Sequence, residues 1–363
     1  MISGLREPPV LVTGGAGFIG SNLADALASE GHEVLIYDAM TRPGVERNLA
    51  WLEERHPGRI EAIRADVRDG DRLADAVNRA TAVFHMAAQV AVTTSMVDPR
   101  EDFAINVGGT FNLLEALRAK GDRTPVVFAS TNKVYGDLAD LSFTCTPHGY
   151  APTAEAIRAH GIGETRPLDF HTPYGCSKGA ADQYVLDYSR SFGVPAAVLR
   201  MSCIYGQRQM GTEDQGWVAH FLIRALEDRP ITLYGDGHQV RDILDVSNAV
   251  EAYLAAWKRI EAIAGRAFNL GGGPANAISL NTLIREIEDI VDHRVLIERD
   301  DWRPGDQRYF VADTRLAHDV LGLGPKVRWQ YGVHRLAHWL ADERGLRLPD
   351  TREHQPTLQV ALS

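Results

Sequence analysis

This sequence predicts an α/β fold, a doubly wound parallel sheet followed by a smaller C-terminal lobe, and three observations predict it. Short runs rich in aliphatic and β-branched residues alternate with longer helical patterns through the first two hundred residues. A glycine-rich turn follows the first run, and the alternation loses its regularity after Tyr205. Strands that alternate with helices form a parallel sheet covered on both faces, because right-handed crossovers carry successive helices over it. The strand candidates are residues 10–13, 33–37, 60–65, 82–85, 126–129 and 196–200. Helical candidates lie between them, among them residues 18–29 and residues 103–118, where Phe111, Leu114 and Leu117 recur at helical spacing. Residues 138–172 are turn-rich and long for a connection, so they read as a functional loop. Beyond Tyr205, glycine turns at residues 235–237 and 271–273 separate helical pieces such as residues 247–262.

The turn after the first strand, Thr13-Gly14-Gly15-Ala16-Gly17-Phe18-Ile19-Gly20, carries Gly-x-Gly-x-x-Gly from Gly15 and also Gly-x-x-Gly-x-x-Gly from Gly14. Between a strand and a helix this is a dinucleotide fingerprint. Its glycines let backbone approach a pyrophosphate, whose charge then sits at the helix N-terminus that Phe18 and Ile19 open. A Rossmann-like sheet is therefore expected. Asp38, at the end of the second strand, is placed to accept hydrogen bonds from ribose hydroxyls and to repel a 2′-phosphate, which favours NAD over NADP. Arg42 pulls the other way, since a guanidinium there can receive a phosphate. Asp66 and Val67 follow the third strand, with Asp66 either facing adenine or capping a helix. Ala87-Ala88-Gln89 follows the fourth, with small residues where backbone passes a cofactor. The expected organisation is a nucleotide-binding domain over residues 1–205, a substrate-binding lobe over residues 206–346 and a tail over residues 347–363.

Composition narrows the class. The chain of 363 residues is 45% hydrophobic and 24% charged with a formal net charge of −10, which fits a soluble globular protein and offers no nucleic-acid surface. Cys145, Cys176 and Cys203 are an odd number at unrelated spacings, so neither a disulfide framework nor a metal site is expected. No apolar run is long enough to span a bilayer, and a cytoplasmic protein is the expectation.

Tyr174 and Lys178 point to the chemistry. On a helix they share a face. There an ammonium can sit beside a phenol and lower its pKa from about 10, so that the phenol takes a proton from an alcohol. Next to a dinucleotide site, that arrangement means hydride transfer. The bland alternative is a chance spacing on an amphipathic helix, with Tyr174 half-buried and Lys178 solvated.

The glycine motif, Asn106-Val107-x-Gly109-Thr110, Val134-Tyr135-Gly136, Tyr174-x-x-x-Lys178 and Arg241-Asp242 together resemble the extended short-chain dehydrogenase/reductase family, which acts on nucleotide sugars. The likeness reaches about Trp339 and is strongest toward sugar 2-epimerases, over Ser130 to Asp137, Leu168 to Tyr184 and Asp214 to Val218. It implies tightly held NAD, a homodimer or homotetramer, and a nucleotide-diphosphate sugar as substrate. It also implies a catalytic Thr131 beside Tyr174 and Lys178, although a strand-end threonine can equally bond its own backbone. Asn106 falls at a cofactor-side position of the family. Dehydratases of the family carry an Asp-Glu acid-base pair after the catalytic hydroxyl, where this chain has Asn132 and Lys133, so elimination of water is not expected. Arg241 and Arg308 match positions that contact pyrophosphate, with Arg200 and Arg208 as further candidates. Thr93, Thr94, Ser95, Asn132 and Lys133 are candidate sugar contacts. His171, at the helix entrance, reads as a packing residue. A 4-epimerase using the same three residues is the nearest rival, and a non-catalytic NAD sensor a remote one.

Overall fold

The computed structural model describes residues 7–303 and 305–349, so the expected tail lies, beyond residue 349, outside the described residues. The chain divides into two compact units, each built from several stretches. The first takes the chain up to Val134, Phe170–Arg200 and Val250–Phe268, and the second takes Tyr135–Asp169, Met201–Ala249 and the chain from Asn269. The expected lobes, 1–205 and 206–346, were contiguous, whereas these units exchange chain repeatedly.

Seven strands form the central sheet. β1 (Val10–Thr13), β2 (Val34–Asp38), β3 (Ile60–Arg64), β4 (Ala82–His85) and β5 (Val126–Thr131) are joined by Ala196–Met201 and by Arg266–Leu270 at the edge. Their order is Arg266–Leu270, Ala196–Met201, β5, β4, β1, β2, β3. β1 pairs in parallel with β2 and β4, so that Val10 lies opposite both Val34 and Ala82. The order reverses between β1 and β4, and in such sheets a ligand binds beyond the carboxyl ends of the strands at that switch. All four residues of β1 and of β4 are buried, because helices cover both faces. Leu11, Leu35, Val83 and Phe128 of the sheet meet Leu113, Leu114, Leu117, Ala181, Val185 and Tyr188 in one core.

The six expected strands are present. The seventh, Arg-Ala-Phe-Asn-Leu over Arg266–Leu270, has neither an apolar run nor clean alternation and gives no strand signal in the sequence. The expected helix over 103–118 is divided into a turn of helix at Pro99–Phe103, a wider π-helical turn at Ala104–Gly109 and a helix at Thr110–Lys120. Leu114 and Leu117 are buried as their spacing implies, but Phe111 is 42% exposed.

In the second unit, helices Trp217–Leu226, Leu280–Val291 and Trp329–Arg344 share a core through Phe221, Leu222, Leu283, Ile287, Val333 and Leu336. Residues 138–172 are not an irregular loop. They hold an antiparallel hairpin of Phe143–Thr146 with Gly149–Pro152 and a short helix at Glu155–His160. Among the described residues no helix is long and apolar enough to cross a membrane.

The strand Ala196–Met201 is tied to the helix Thr172–Phe192 by a buried ion pair. The Asp182 carboxylate accepts from Arg200 Nε and Nη2, each at 2.9 Å, and from the Ser130 hydroxyl at 2.7 Å. Arg200, a candidate phosphate ligand by sequence, is thus 5% exposed and committed to Asp182. Arg200→Leu leaves an uncompensated buried carboxylate, and urea unfolding is expected to show a loss of roughly 3–5 kcal/mol, much of it recovered in Arg200→Leu/Asp182→Leu.

Candidate active site

The glycine turn lies at the switch point of the sheet. Gly14, with φ of 66°, passes so close to the chain after β4 that a Cβ on it would lie 2.8 Å from the Ala87 nitrogen. A Cβ on Gly20 would lie 2.2 Å from the Gly14 carbonyl oxygen, so the first turn of helix Phe18–Ser29 rests directly on the loop. That helix has Gly17 as its N-cap residue and no side-chain cap, which leaves its N-terminal N–H groups to an anion. Thr13 Oγ1 accepts the Ala87 N–H at 3.3 Å, and the Thr13 carbonyl accepts the Met86 N–H at 3.0 Å, fixing the two loops together ahead of Ala88.

Asp38 ends β2 and accepts backbone N–H groups from Ala16 at 3.1 Å and Met40 at 2.9 Å, one on each oxygen. With the Gly17 N–H as a third backbone donor, the carboxylate keeps one of its lone-pair sites for a ribose hydroxyl. Burial raises the pKa of Asp38, and these backbone donors oppose the rise. Arg42 is exposed and within reach of the Asp38 charge. The bare helix terminus, the close backbone approach at Gly14 and the incompletely satisfied Asp38 carboxylate fit a dinucleotide. Asp66 does not cap the helix that follows it, since Asp69 does so by accepting the Arg72 N–H. Its carboxylate is held by the backbone and guanidinium of Arg68, which keep its pKa below the usual range. Val67 is buried.

Asn106, expected on the cofactor side, is an internal clamp. From the π-helical turn it accepts the Gln89 N–H at 2.9 Å and donates to the Gln89 carbonyl, to Asp102 Oδ1 and to Ser177 Oγ at 3.0 to 3.2 Å. Its own carbonyl accepts from Thr110 Oγ1, which also bonds His85 Nε2, while His85 Nδ1 bonds Thr13. Asp102, Ser177 and His85 were not among the sequence candidates. The visible signal was that Asp102 precedes Asn106 by one helical turn and that Ser177 lies inside the Tyr-x-x-x-Lys motif.

Thr131, Tyr174 and Lys178 are all buried. Thr131 ends β5, and its hydroxyl hydrogen-bonds the Tyr174 phenol, lies 3.3 Å from Asn132 Oδ1 and accepts the Lys133 N–H at 3.2 Å. The local bond expected of a strand-end threonine is present, and the hydroxyl also meets the Tyr174 phenol. The helix bearing Tyr174 starts at Thr172, and Ser95 Oγ accepts the Tyr174 N–H at 3.2 Å. Lys178 follows one turn later, its Nζ donating to the Ala129 carbonyl at 2.7 Å and lying 4.3 Å from the centre of the Phe128 ring. A solvated lysine is therefore excluded.

The expected lowering of the Tyr174 pKa does not occur in the protein alone. Burial pushes the phenol up to about 12, with the Asp102 carboxylate adding to the rise and the Thr131 hydrogen bond opposing it. Burial likewise brings Lys178 down to about 7, against the pull of Asp182 and then Asp102. Dehydration outweighs the favourable partners at both groups.

Of the sugar-contact candidates, Ser95 is committed to Tyr174 and to the Val92 carbonyl. Thr94 is exposed. Thr93 Oγ1 is buried without a hydrogen-bond partner among the described residues, so it is the hydroxyl of the three that awaits one. In the second unit, Val240–Asp245 pairs with Tyr309–Phe310, with Arg241 opposite Phe310, two residues beyond Arg308. Arg241 is buried and donates to Asp306 Oδ1 at 2.6 Å and to the Val240 and Gln307 carbonyls. Arg308 is exposed, its guanidinium 5.4 Å from the centre of the Tyr150 ring. Arg208 lies over Trp339 and 3.7 Å from Glu343.

In the protein without ligands, the tyrosinate absorbance that distinguishes the wild type from Tyr174→Phe is expected to appear only above pH 11. A difference spectrum that titrates below pH 9 would show that burial does not govern this phenol.

Residues 10–271 match the family described as NAD dependent epimerase/dehydratase. The chain is 41% identical over 337 residues to the CDP-paratose 2-epimerase of Salmonella typhi, covering 91% of this chain and 98% of that protein. It is 32% identical over 340 residues to a putative UDP-glucose 4-epimerase of Methanocaldococcus jannaschii, covering 91% and 98%. Its fold is similar to that of the UDP-glucuronic acid 4-epimerase from Bacillus cereus, solved in complex with UDP-glucuronic acid and NAD, with a TM-score of 0.80, 27% identity and coverage of 92% and 99%. The chain belongs to the NAD dependent epimerase/dehydratase family, in the extended short-chain dehydrogenase/reductase class, and its cofactor is NAD.

Proposed function

We propose that this protein inverts a nucleotide-diphosphate sugar at C2, converting CDP-paratose to CDP-tyvelose, through a transient 2-ketone. The observation that carries the reading is the buried Thr131–Tyr174 contact followed by Asn132 and Lys133, where elimination chemistry needs a carboxylate pair. Likeness over nearly the whole chain to a CDP-paratose 2-epimerase supports the choice of carbon and of nucleotide.

In this reading the Tyr174 oxygen takes the proton of the C2 hydroxyl and Thr131 donates to that oxygen as charge develops. Bound NAD supplies a reversible hydride acceptor at the sugar carbon. The energetics decide what else is needed. Bringing Tyr174 from about 12 to 7 requires about 7 kcal/mol of stabilisation of the phenolate. A unit positive charge at ~4 Å contributes about 4 kcal/mol at an effective dielectric of ~20, so two such charges suffice and one does not. Lys178 as an ammonium would be one of them, and bound oxidised NAD would supply the other.

Inversion requires the ketone to present its opposite face, so the nucleotide must be held while the hexose turns. Arg308, Arg241 and Arg208 are the proposed phosphate anchors, with exposed Arg308 making the first contact, and Thr93, Thr94, Asn132 and Lys133 the proposed sugar contacts. Gly14, Gly17, Phe18, Ile19 and Gly20 form the proposed pyrophosphate cradle, and Asp38 and Arg42 flank the proposed adenosine ribose. The loops at Asp66–Val67 and Ala87–Gln89 complete the proposed cofactor site. We further propose a cytoplasmic homodimer or homotetramer. Phe111, Tyr184 and Phe192 are 42%, 45% and 52% exposed on helices Thr110–Lys120 and Thr172–Phe192, and the Phe111 and Tyr184 rings meet edge to face. Such an apolar patch is suited to a symmetric partner.

With CDP-paratose in heavy water and no added cofactor, proton NMR is expected to show inversion at C2 without deuterium uptake, and kcat is expected to fall by about 10²–10⁴ in Tyr174→Phe. Inversion at C4 would transfer the assignment to a 4-epimerase. Light scattering after size exclusion is expected to show a smaller particle for Phe111→Glu/Tyr184→Glu than for the wild type.

A further inference from the structure

A series of hydrogen bonds runs through the buried His85 ring, and its partners fix where each proton lies. Thr13, His85, Thr110 and Asn106 are each at most 1% exposed. The Thr110 hydroxyl lies 2.7 Å from the Asn106 carbonyl oxygen and 3.1 Å from His85 Nε2. A carbonyl only accepts, so the single hydroxyl proton points to it, and Nε2 must donate to the Thr110 oxygen. Burial, and then the Lys178 charge, bring the His85 pKa down to about 3, so at neutral pH the ring is uncharged and Nδ1 carries no proton. The Thr13 hydroxyl, 2.7 Å from Nδ1, therefore donates to it and keeps its lone pairs for the Ala87 N–H at 3.3 Å. The donors thus follow one direction, from the Ala87 N–H through Thr13, His85 and Thr110 to the Asn106 carbonyl, and bonds in such a series strengthen one another.

Both ends of the series lie where the dinucleotide site is built. A Cβ on Gly14 would meet the Ala87 nitrogen at 2.8 Å, so the position of Ala87 sets the gap between the glycine turn and the chain after β4. Asn106 ends the series with its carbonyl and holds Gln89 with its side chain, accepting the Gln89 N–H at 2.9 Å and donating to the Gln89 carbonyl at 3.1 Å. Ala87 and Gln89 are thus both tied to Asn106, one through His85 and one directly, with Ala88 between them. The Phe128 ring, stacked on the imidazole at 5.6 Å and 29°, supports its plane. We propose that His85, as the neutral tautomer protonated at Nε2, is a positioning residue for NAD, holding the glycine turn and the Ala87–Gln89 loop at the separation the dinucleotide requires. The opposite tautomer would offer the single Thr110 proton two acceptors and break the series at its centre.

The assignment rests on the proposed placement of NAD against these two loops and not on the sugar or the carbon inverted, so failure to epimerise CDP-paratose would leave it standing. Titrating cofactor-free protein with NAD keeps the two readings apart, since a wild type that binds no NAD overturns the placement itself. Thr110→Val nearly keeps the side-chain shape and removes the hydroxyl that links His85 to Asn106. It is expected to raise the NAD dissociation constant by about tenfold or more, as the loss of one or two buried hydrogen bonds implies. Thr110→Ser, which returns the hydroxyl, is expected to restore the wild-type constant. An unchanged constant in Thr110→Val, or a loss that Thr110→Ser does not restore, overturns the proposal whatever the melting temperatures of the variants. If Thr110→Val does not fold, the wild type decides. In protein labelled with ¹⁵N-histidine, the His85 ring, assigned through NOEs to Phe128, is expected at pH 7 to carry its proton on Nε2 alone. A proton on Nδ1, alone or in addition, overturns the proposal.

Discussion

Keeping a lysine charged in a dry interior is the constraint on which the active-site half of this molecule depends. Removing an ammonium from water costs several kcal/mol even after relaxation. The first unit offsets part of that cost from three elements, with the Ala129 carbonyl and Phe128 ring of β5, the charge of Asp182 on the lysine's own helix and that of Asp102 from the helix before the π-helical turn. Asp182 is in turn bound to Arg200, so the sheet, the helix and the turn are held by one set of charges. Displacing any of these elements would leave a buried charge without its partner, which makes the geometry around Tyr174 rigid.

The same burial sets the catalytic problem. A phenol raised to about 12 is a poor base at neutral pH. The resting protein therefore holds its tyrosine protonated, and the phenolate becomes accessible only as positive charge is brought beside it. In the proposed reaction, proton abstraction by Tyr174 and hydride acceptance would be coupled through charge. Thr131 contributes a hydrogen bond whichever state the phenol is in, so it steers without deciding.

Much of this was legible in the sequence because the motifs are local. The glycine turn, Asp38 and the Tyr174/Lys178 spacing each lie within one strand-to-helix junction or one helical turn, where backbone geometry fixes who faces whom. The role of Asn106 was not legible, because its partners Gln89, Asp102 and Ser177 converge from three segments and only the fold brings them together. Arg200 misled for the same reason. Its place with Arg208 on either side of Tyr205-Gly206 suggested phosphate, while its partner Asp182 lies on a different element, the helix Thr172–Phe192. The edge strand Arg266–Leu270 carries a polar, irregular sequence whose strand character comes entirely from its neighbour. The hairpin at Phe143–Thr146 and Gly149–Pro152 was read as a loop because neither arm has a clean apolar alternation.

The interleaving of the two units bears on how the chain is made. The edge strand of the nucleotide-binding sheet ends at Leu270, and the helix Val246–Lys258 that contributes to the first unit also comes late in the chain. A ribosome adding about 5–20 residues per second must deliver roughly three-quarters of the protein before the first unit can close. During that interval the nascent sheet exposes the flank of Ala196–Met201, a strand whose first five residues are buried in the finished protein. An open, apolar strand edge is a template for pairing with another chain. The demand for protection by folding helpers should therefore fall on partly synthesised chains, and truncation near residue 205 should yield an aggregating fragment in place of a working nucleotide-binding module.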